Sequence, residues 1–107
     1  MTDDSTLGGY LRVHDRAPAF QGSDGHAYSA AVFVDDDPDA EGRYGGAVLF
    51  VRWSPDGDRP IGHLESPYVS FGASPDEATA GVQALRLHEV KEHLERAIRA
   101  DRDREPW

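Results

Sequence analysis

The run Tyr44-Gly45-Gly46-Ala47-Val48-Leu49-Phe50-Val51-Arg52-Trp53 constrains the fold of this chain more than any other segment. Successive side chains of a strand point to opposite faces, and here both faces are apolar over most of the run. Such a strand belongs in the middle of a sheet, covered on both sides. Its neighbours are legible. Ala27 to Asp35 alternates Tyr28, Ala30, Val32 and Val34 against Ala27, Ser29, Ala31 and Phe33, and Ile61 to Phe71 supplies a third strand. Pro67 marks a bulge or an edge there, because it has no N–H to give to a ladder. Ser23-Asp24-Gly25 fits a tight hairpin between the Phe20 region and the Ala27 strand, and Ser54-Pro55-Asp56-Gly57-Asp58 makes the next turn. Tyr10-Leu11-Arg12-Val13-His14 reads as a short strand, and residues 1–9 as a flexible arm.

Ser74-Pro75-Asp76-Glu77 opens a helix: a capping Ser, a Pro at the first helical position, and a Glu three residues after the cap. Nothing but Gly81 interrupts the pattern from there to Arg102. The expected architecture is α+β, an antiparallel β-meander of three to four strands over residues 10–72. It packs against one long C-terminal helix over 74–102, with a tail at 103–107, in a single domain of 1–107.

That helix has two apolar stripes. At about 100° per residue, Ala78, Val82 and Leu85 fall within about 60° of one another, whereas Leu87, Val90, Leu94, Ala97 and Ile98 centre about 150° away. One sheet cannot cover both stripes of a straight helix. Either the helix bends at Gly81, or the second stripe meets something outside the sheet. The three- and four-residue steps of Leu87, Val90, Leu94 and Ile98 suit a helix seam, so these four residues are the expected interface of a homodimer or of an obligate partner.

A chain of 107 residues, 38% of them hydrophobic, builds one modest core and leaves assembly open. Without Cys it has neither a disulfide framework nor a thiolate metal site. No apolar run approaches the roughly 20 residues of a bilayer span. The start Met1-Thr2-Asp3-Asp4-Ser5 is acidic where a secretory leader is basic, so a cytoplasmic location is the expectation. Twenty acidic against eleven basic residues leave a net charge of −9, which opposes direct contact with nucleic-acid phosphates or anionic lipid.

Few motifs carry chemistry. In His88-Glu89-Val90-Lys91-Glu92-His93 the histidines stand five apart, turning their rings about 140° from each other instead of onto one zinc. The acidic stretch Asp35-Asp36-Asp37-Pro38-Asp39-Ala40-Glu41-Gly42 lacks the Gly and Glu of a calcium loop and reads as a solvated turn. No metal and no cofactor are expected. His63 and Glu65 share one strand face and form the one candidate for proton transfer or ligand binding.

From Tyr28 to Ile98 the chain resembles the β-β-β-α core of the HicB-like antitoxins. The likeness rests on the order of elements, on Gly42-Arg43-Tyr44 at the entry to the second strand, and on Gly72-Ala73-Ser74-Pro75-Asp76-Glu77-Ala78 at the strand-to-helix junction. The family's Pro-Asp-Leu-Pro-Gly stretch is missing, and Trp53-Ser54-Pro55-Asp56-Gly57-Asp58 stands near its place. The resemblance implies a partner-binding module without a DNA-binding part. The expected function is a non-enzymatic protein-interaction module, acting as a homodimer or on a basic protein partner. The alternative is a small enzyme or ligand-binding regulatory domain built on His63 and Glu65.

Overall fold

The computed structural model describes residues 4–104. Helix α1 (Leu7–His14) precedes strands β1 (Ala19–Gln21), β2 (Ala27–Val34), β3 (Tyr44–Trp53), β4 (Pro60–Glu65) and β5 (Ser70–Gly72). Helices α2 (Pro75–Gln83) and α3 (Leu87–Asp103) close the fold. The architecture is α+β, as the strand alternation and the helix start imply. The sheet is antiparallel in the order β1-β2-β3-β4, and β5 also pairs with β3. β3 is central. The β1–β2 hairpin turns at Gly25, whose φ of +86° is one that residues with a side chain rarely adopt.

The expected third strand is two strands. Ser66 N–H bonds the Val48 carbonyl while Ser70 pairs with Gly46, so four steps on the outer strand answer two on β3. Pro67 lies in that excursion. The Ser66 hydroxyl substitutes for the missing ladder contact, accepting from Val48 N–H at 2.9 Å and donating to the Pro67 carbonyl.

Two expectations at the N-terminus are overturned. Tyr10–His14 is the second half of a helix, not a strand. Thr6 caps that helix by accepting from Gly9 N–H at 3.0 Å, and Asp15 ends it in the left-handed region. Residues 4–9 of the expected arm are built into the fold: Leu7 is wholly buried, and a Cβ on Gly8 would stand 2.7 Å from Gln83 Cβ. Gly8, with no side chain, permits α1 to lie close against α2. Residues 1–3 of the arm and 105–107 of the tail lie outside the described residues.

The single long helix is also corrected, and with it the proposed interface. The chain leaves α2 at Ala84 and starts α3 after Arg86, whose N–H donates to the Glu89 carboxylate at 2.8 Å. Backbone groups freed by the break are taken up by the N-terminal segment: Leu7 N–H bonds the Leu85 carbonyl and Leu87 N–H bonds the Ser5 carbonyl, each at 2.8 Å. Two helices at different orientations turn both stripes inward. Val82 from α2 and Val90, Leu94 and Ile98 from α3 join Leu7, Tyr28, Ala30, Val48, Phe50 and Leu64 in one core. Val90 and Leu94 are fully buried within a single chain and Leu87 is half-buried. Three of the four expected interface residues, Val90, Leu94 and Ile98, are therefore spent on the core. Gly81 is not the hinge. It faces Ser70, and a Cβ there would stand 1.9 Å from the Ser70 hydroxyl oxygen.

A polar network ties the β1–β2 turn to β3 and α3. The Tyr28 hydroxyl donates to Asp24 at 2.5 Å and accepts from Arg52 Nε at 2.7 Å, and the Arg52 guanidinium reaches Asp24 at 3.5 Å and Asp101 at 3.7 Å. Burial and the Asp24 carboxylate push the Tyr28 phenol up to about 12, against an opposing pull from Arg52. A phenol raised above its unfolded value of about 10 contributes stability that is complete below that value and lost as pH climbs through the folded value. We expect wild-type stability to fall between pH 10 and about 12, a drop that Tyr28→Phe largely removes. The variant loses two hydrogen bonds in a buried setting and is less stable at neutral pH by roughly 1.5–3 kcal/mol. Urea melts of both proteins from pH 7 to 12 check this, and parallel pH profiles would contradict it.

Candidate protein-binding face

All three helices lie on one side of the sheet. The core takes Tyr28 and Ala30 from β2, Val48 and Phe50 from β3, and Leu64 from β4. Their alternates point the other way: Ala31 and Phe33 on β2, Ala47, Leu49 and Val51 on β3, His63 and Glu65 on β4, and Phe71 on β5. The register puts Ala31 opposite Leu49, Phe33 opposite Ala47, and His63 opposite Val51. The two-sided apolar pattern of β3 is real, but among the described residues only one of its faces is covered by helices.

The outer face is aromatic at one end. Phe33, Tyr68 and Phe71 are 37%, 47% and 50% exposed, values that mark large apolar rings left to solvent. Tyr68 and Phe71 meet edge to face, and a Cβ on Gly45 would touch the Tyr68 ring at 2.8 Å, so the ring lies directly on the β3 backbone. Arg43 stacks over Phe71 at 4.7 Å and is itself paired with Asp39 and Glu41. Two shallow hollows follow the face. One, of about 490 Å³, is bounded by Phe33, Ala47, Pro67 and Tyr68; the other, of about 530 Å³, by Phe33, Leu49, Val51 and Pro60.

The rim is acidic. Tyr68 donates its hydroxyl to Asp35 at 2.6 Å, and that bond, with the Asp37 N–H, holds the Asp35 carboxyl below the usual range. Asp35, Asp36 and Asp37 bring carboxylate oxygens within 4.8 Å of one another in an exposed turn. Asp39 organises the rest of the loop, accepting from the N–H groups of Glu41 and Arg43. Glu65, at the opposite rim, makes no hydrogen bond or ion pair with any described residue.

His63 and Glu65 do share this face, as their spacing requires, and both are exposed. No third group among the described residues orients either one, which a proton-transfer pair needs. His88 is exposed while His93 is half-buried, with burial and Arg96 lowering its pKa, so the two rings sit in different surroundings. The residues missed from sequence are Phe33, Leu49, Val51, Tyr68 and Phe71. Their signal was the apolar odd-numbered parity of β3, which asks for a second cover that this chain's helices do not give.

Comparison with protein-family models, with curated proteins and with solved structures finds no match for the chain. No helix among the described residues is long and apolar enough to cross a membrane.

Proposed function

We propose that this chain is a non-enzymatic protein-binding module that receives a basic protein partner on the helix-free face of its sheet. The observation that carries the proposal is that face: a contiguous apolar surface with exposed rings at one end, left bare by three helices that all pack on the opposite side. Contiguous exposed apolar surface marks interaction sites, and aromatic side chains are enriched at the centre of interfaces. Charge selects the partner. Asp35, Asp36, Asp37 and Glu65 rim the face, Arg43 beside it is paired with Asp39 and Glu41, and the whole chain carries −9. A second copy would bring the same acidic rim against itself, whereas a Lys/Arg-rimmed apolar surface is complementary. The resemblance to HicB-like antitoxins, which implies a partner-binding module, supports the same use.

Phe33→Asp with Leu49→Asp tests this. Both side chains leave the core untouched, so the variant should melt close to wild type. Truncating or charging two central contacts of an interface costs about 2 kcal/mol or more each, roughly 30-fold in affinity per site. Affinity capture from native lysate with wild type and variant in parallel should recover a basic protein with the first and lose it with the second. Equal recovery by both overturns the proposal. A wild-type dimer in light scattering that the variant dissociates gives the face to a second copy instead.

A further inference from the structure

Strand β4 ends the sheet on its β3 side, and its register fixes which backbone groups it has left over. In the β3–β4 ladder Phe50 faces Leu64 and Arg52 faces Gly62, and the Ser66 N–H bonds the Val48 carbonyl. Even-numbered residues of β4 therefore turn their N–H and C=O toward β3. Those of His63 and Glu65 point away from the sheet, and neither residue makes a backbone or side-chain hydrogen bond to any other described residue. An open edge of this kind is normally shielded, because it pairs with any extended chain. Here a cleft of about 320 Å³ runs beside it. One wall is His63 to Ser66, and the other is Ala97 and Ala100 of α3 with Arg104, which caps that helix. Alanines on the helix wall leave room for a strand, and Arg104 is held back on Asp101 at 2.9 Å.

We infer that β4 accepts an extended segment of the partner as a sixth strand, laid in the cleft between β4 and α3. The inference rests on the reading of the chain as a module for a basic protein and names the element that protein inserts. The incoming segment hydrogen-bonds to the N–H and C=O of His63 and Glu65. Its residues alternate, because side chains of an added strand alternate between the two sides of the sheet. Those on the α3 side meet Ala97 and Ala100 and are apolar. Those on the outer side stand beside the unpaired carboxylate of Glu65 and are Lys or Arg, since opposite charges across a strand pair attract.

The probe is a synthetic eight-residue peptide alternating Val and Lys, with a control methylated on every second backbone nitrogen along its pairing edge. Amide hydrogen exchange of the protein should slow at least about tenfold at His63 and Glu65 with the peptide and be unchanged with the control. His63→Pro removes an outward N–H without breaking a bond to β3, and Pro is tolerated on edge strands. Its melting temperature should move by no more than about 4 °C, while peptide affinity drops about tenfold or more. Absence of peptide binding, or equal binding of the methylated control, overturns the inference. Perturbation of Phe33, Leu49 and Val51 with His63 and Glu65 unaffected overturns it too, and leaves the face reading standing. Equal basic-protein capture by wild type and Phe33→Asp/Leu49→Asp alongside intact peptide binding overturns the face reading and leaves the strand site standing.

Discussion

Val90→Asp combined with Leu94→Asp should abolish cooperative folding. Both side chains are fully buried in the core where α3 meets the sheet, and both belong to one cluster with Phe50, Leu64 and Val82. A carboxylate placed there has no cation within the cluster. Each substitution sacrifices aliphatic packing worth about 2 kcal/mol or more and buries an acid that stays costly even when protonated. Two such changes on adjacent turns of one helix exceed the roughly 5–15 kcal/mol that holds a small domain together. Circular dichroism should show no thermal transition, and the amide spectrum should collapse to narrow dispersion. Leu94→Ala is the milder companion, folded but weaker by about 2–5 kcal/mol. A folded double variant with near-native melting would return the stripe to the surface and reinstate it as an interface.

The contrast with Phe33→Asp/Leu49→Asp defines the molecule. Acids on α3's apolar stripe are expected to destroy the fold, while acids on the outer face of β2 and β3 are expected to leave it standing and, on the proposed reading, to remove binding. Two sets of apolar residues that look alike in the sequence have opposite surroundings, and the side of the sheet on which they fall separates them.

Most of the sheet was legible because its determinants are local. Alternation in Ala27–Val34 identifies β2, the Ser23-Asp24-Gly25 turn sets the hairpin, and Pro67 interrupts the edge where its missing N–H says it must. The start of α2 was equally plain, since Ser74 accepts from Glu77 N–H at 3.2 Å as the capping pattern requires. What stayed hidden depends on residues far apart in the chain. Ala84-Leu85-Arg86-Leu87 are good helix formers, and nothing in their neighbourhood says that the helix stops. The stop is held by Ser5 and Leu7, some eighty residues earlier, through backbone bonds no periodicity reveals. For the same reason α1 was misread. Gly8 and Gly9 weaken a helix by propensity, yet contact with Gln83 requires that one of them carry no side chain. The candidate face was mislocated as a consequence: with the helix taken as straight, α3's stripe had nowhere to go but outward. Had the break been visible, the unmatched parity of β3 would have pointed to Leu49 and Val51.

Gly46→Val should be among the most damaging single substitutions in the sheet. Gly46 lies on β3, paired with Val34 on one side and Ser70 on the other, so the backbone there is fixed from both directions. Its helix side faces α2 directly. A Cβ built on it would stand 2.7 Å from Val82 Cγ2 and 2.9 Å from the Ala78 carbonyl oxygen. The first contact is with a side chain and can relax. The second is with helix backbone, and relieving it means lifting α2 from the sheet and opening the packing around Val82 and Phe50. Overfilling a close-packed site costs about 1–3 kcal/mol and more when backbone must move. Valine, with two further carbons, should reach at least the upper end and lower the melting temperature by about 12 °C or more. Gly46→Ala should fall between valine and wild type. Adding Val82→Ala to Gly46→Ala removes the side-chain clash but keeps the carbonyl clash, so it should restore little of the loss and introduce a cavity of its own. Thermal melts of the three variants check the geometry together. A Gly46→Ala protein as stable as wild type would mean that α2 does not seat on β3 at this point, and the one-sided packing that leaves the outer face free would lose its anchor.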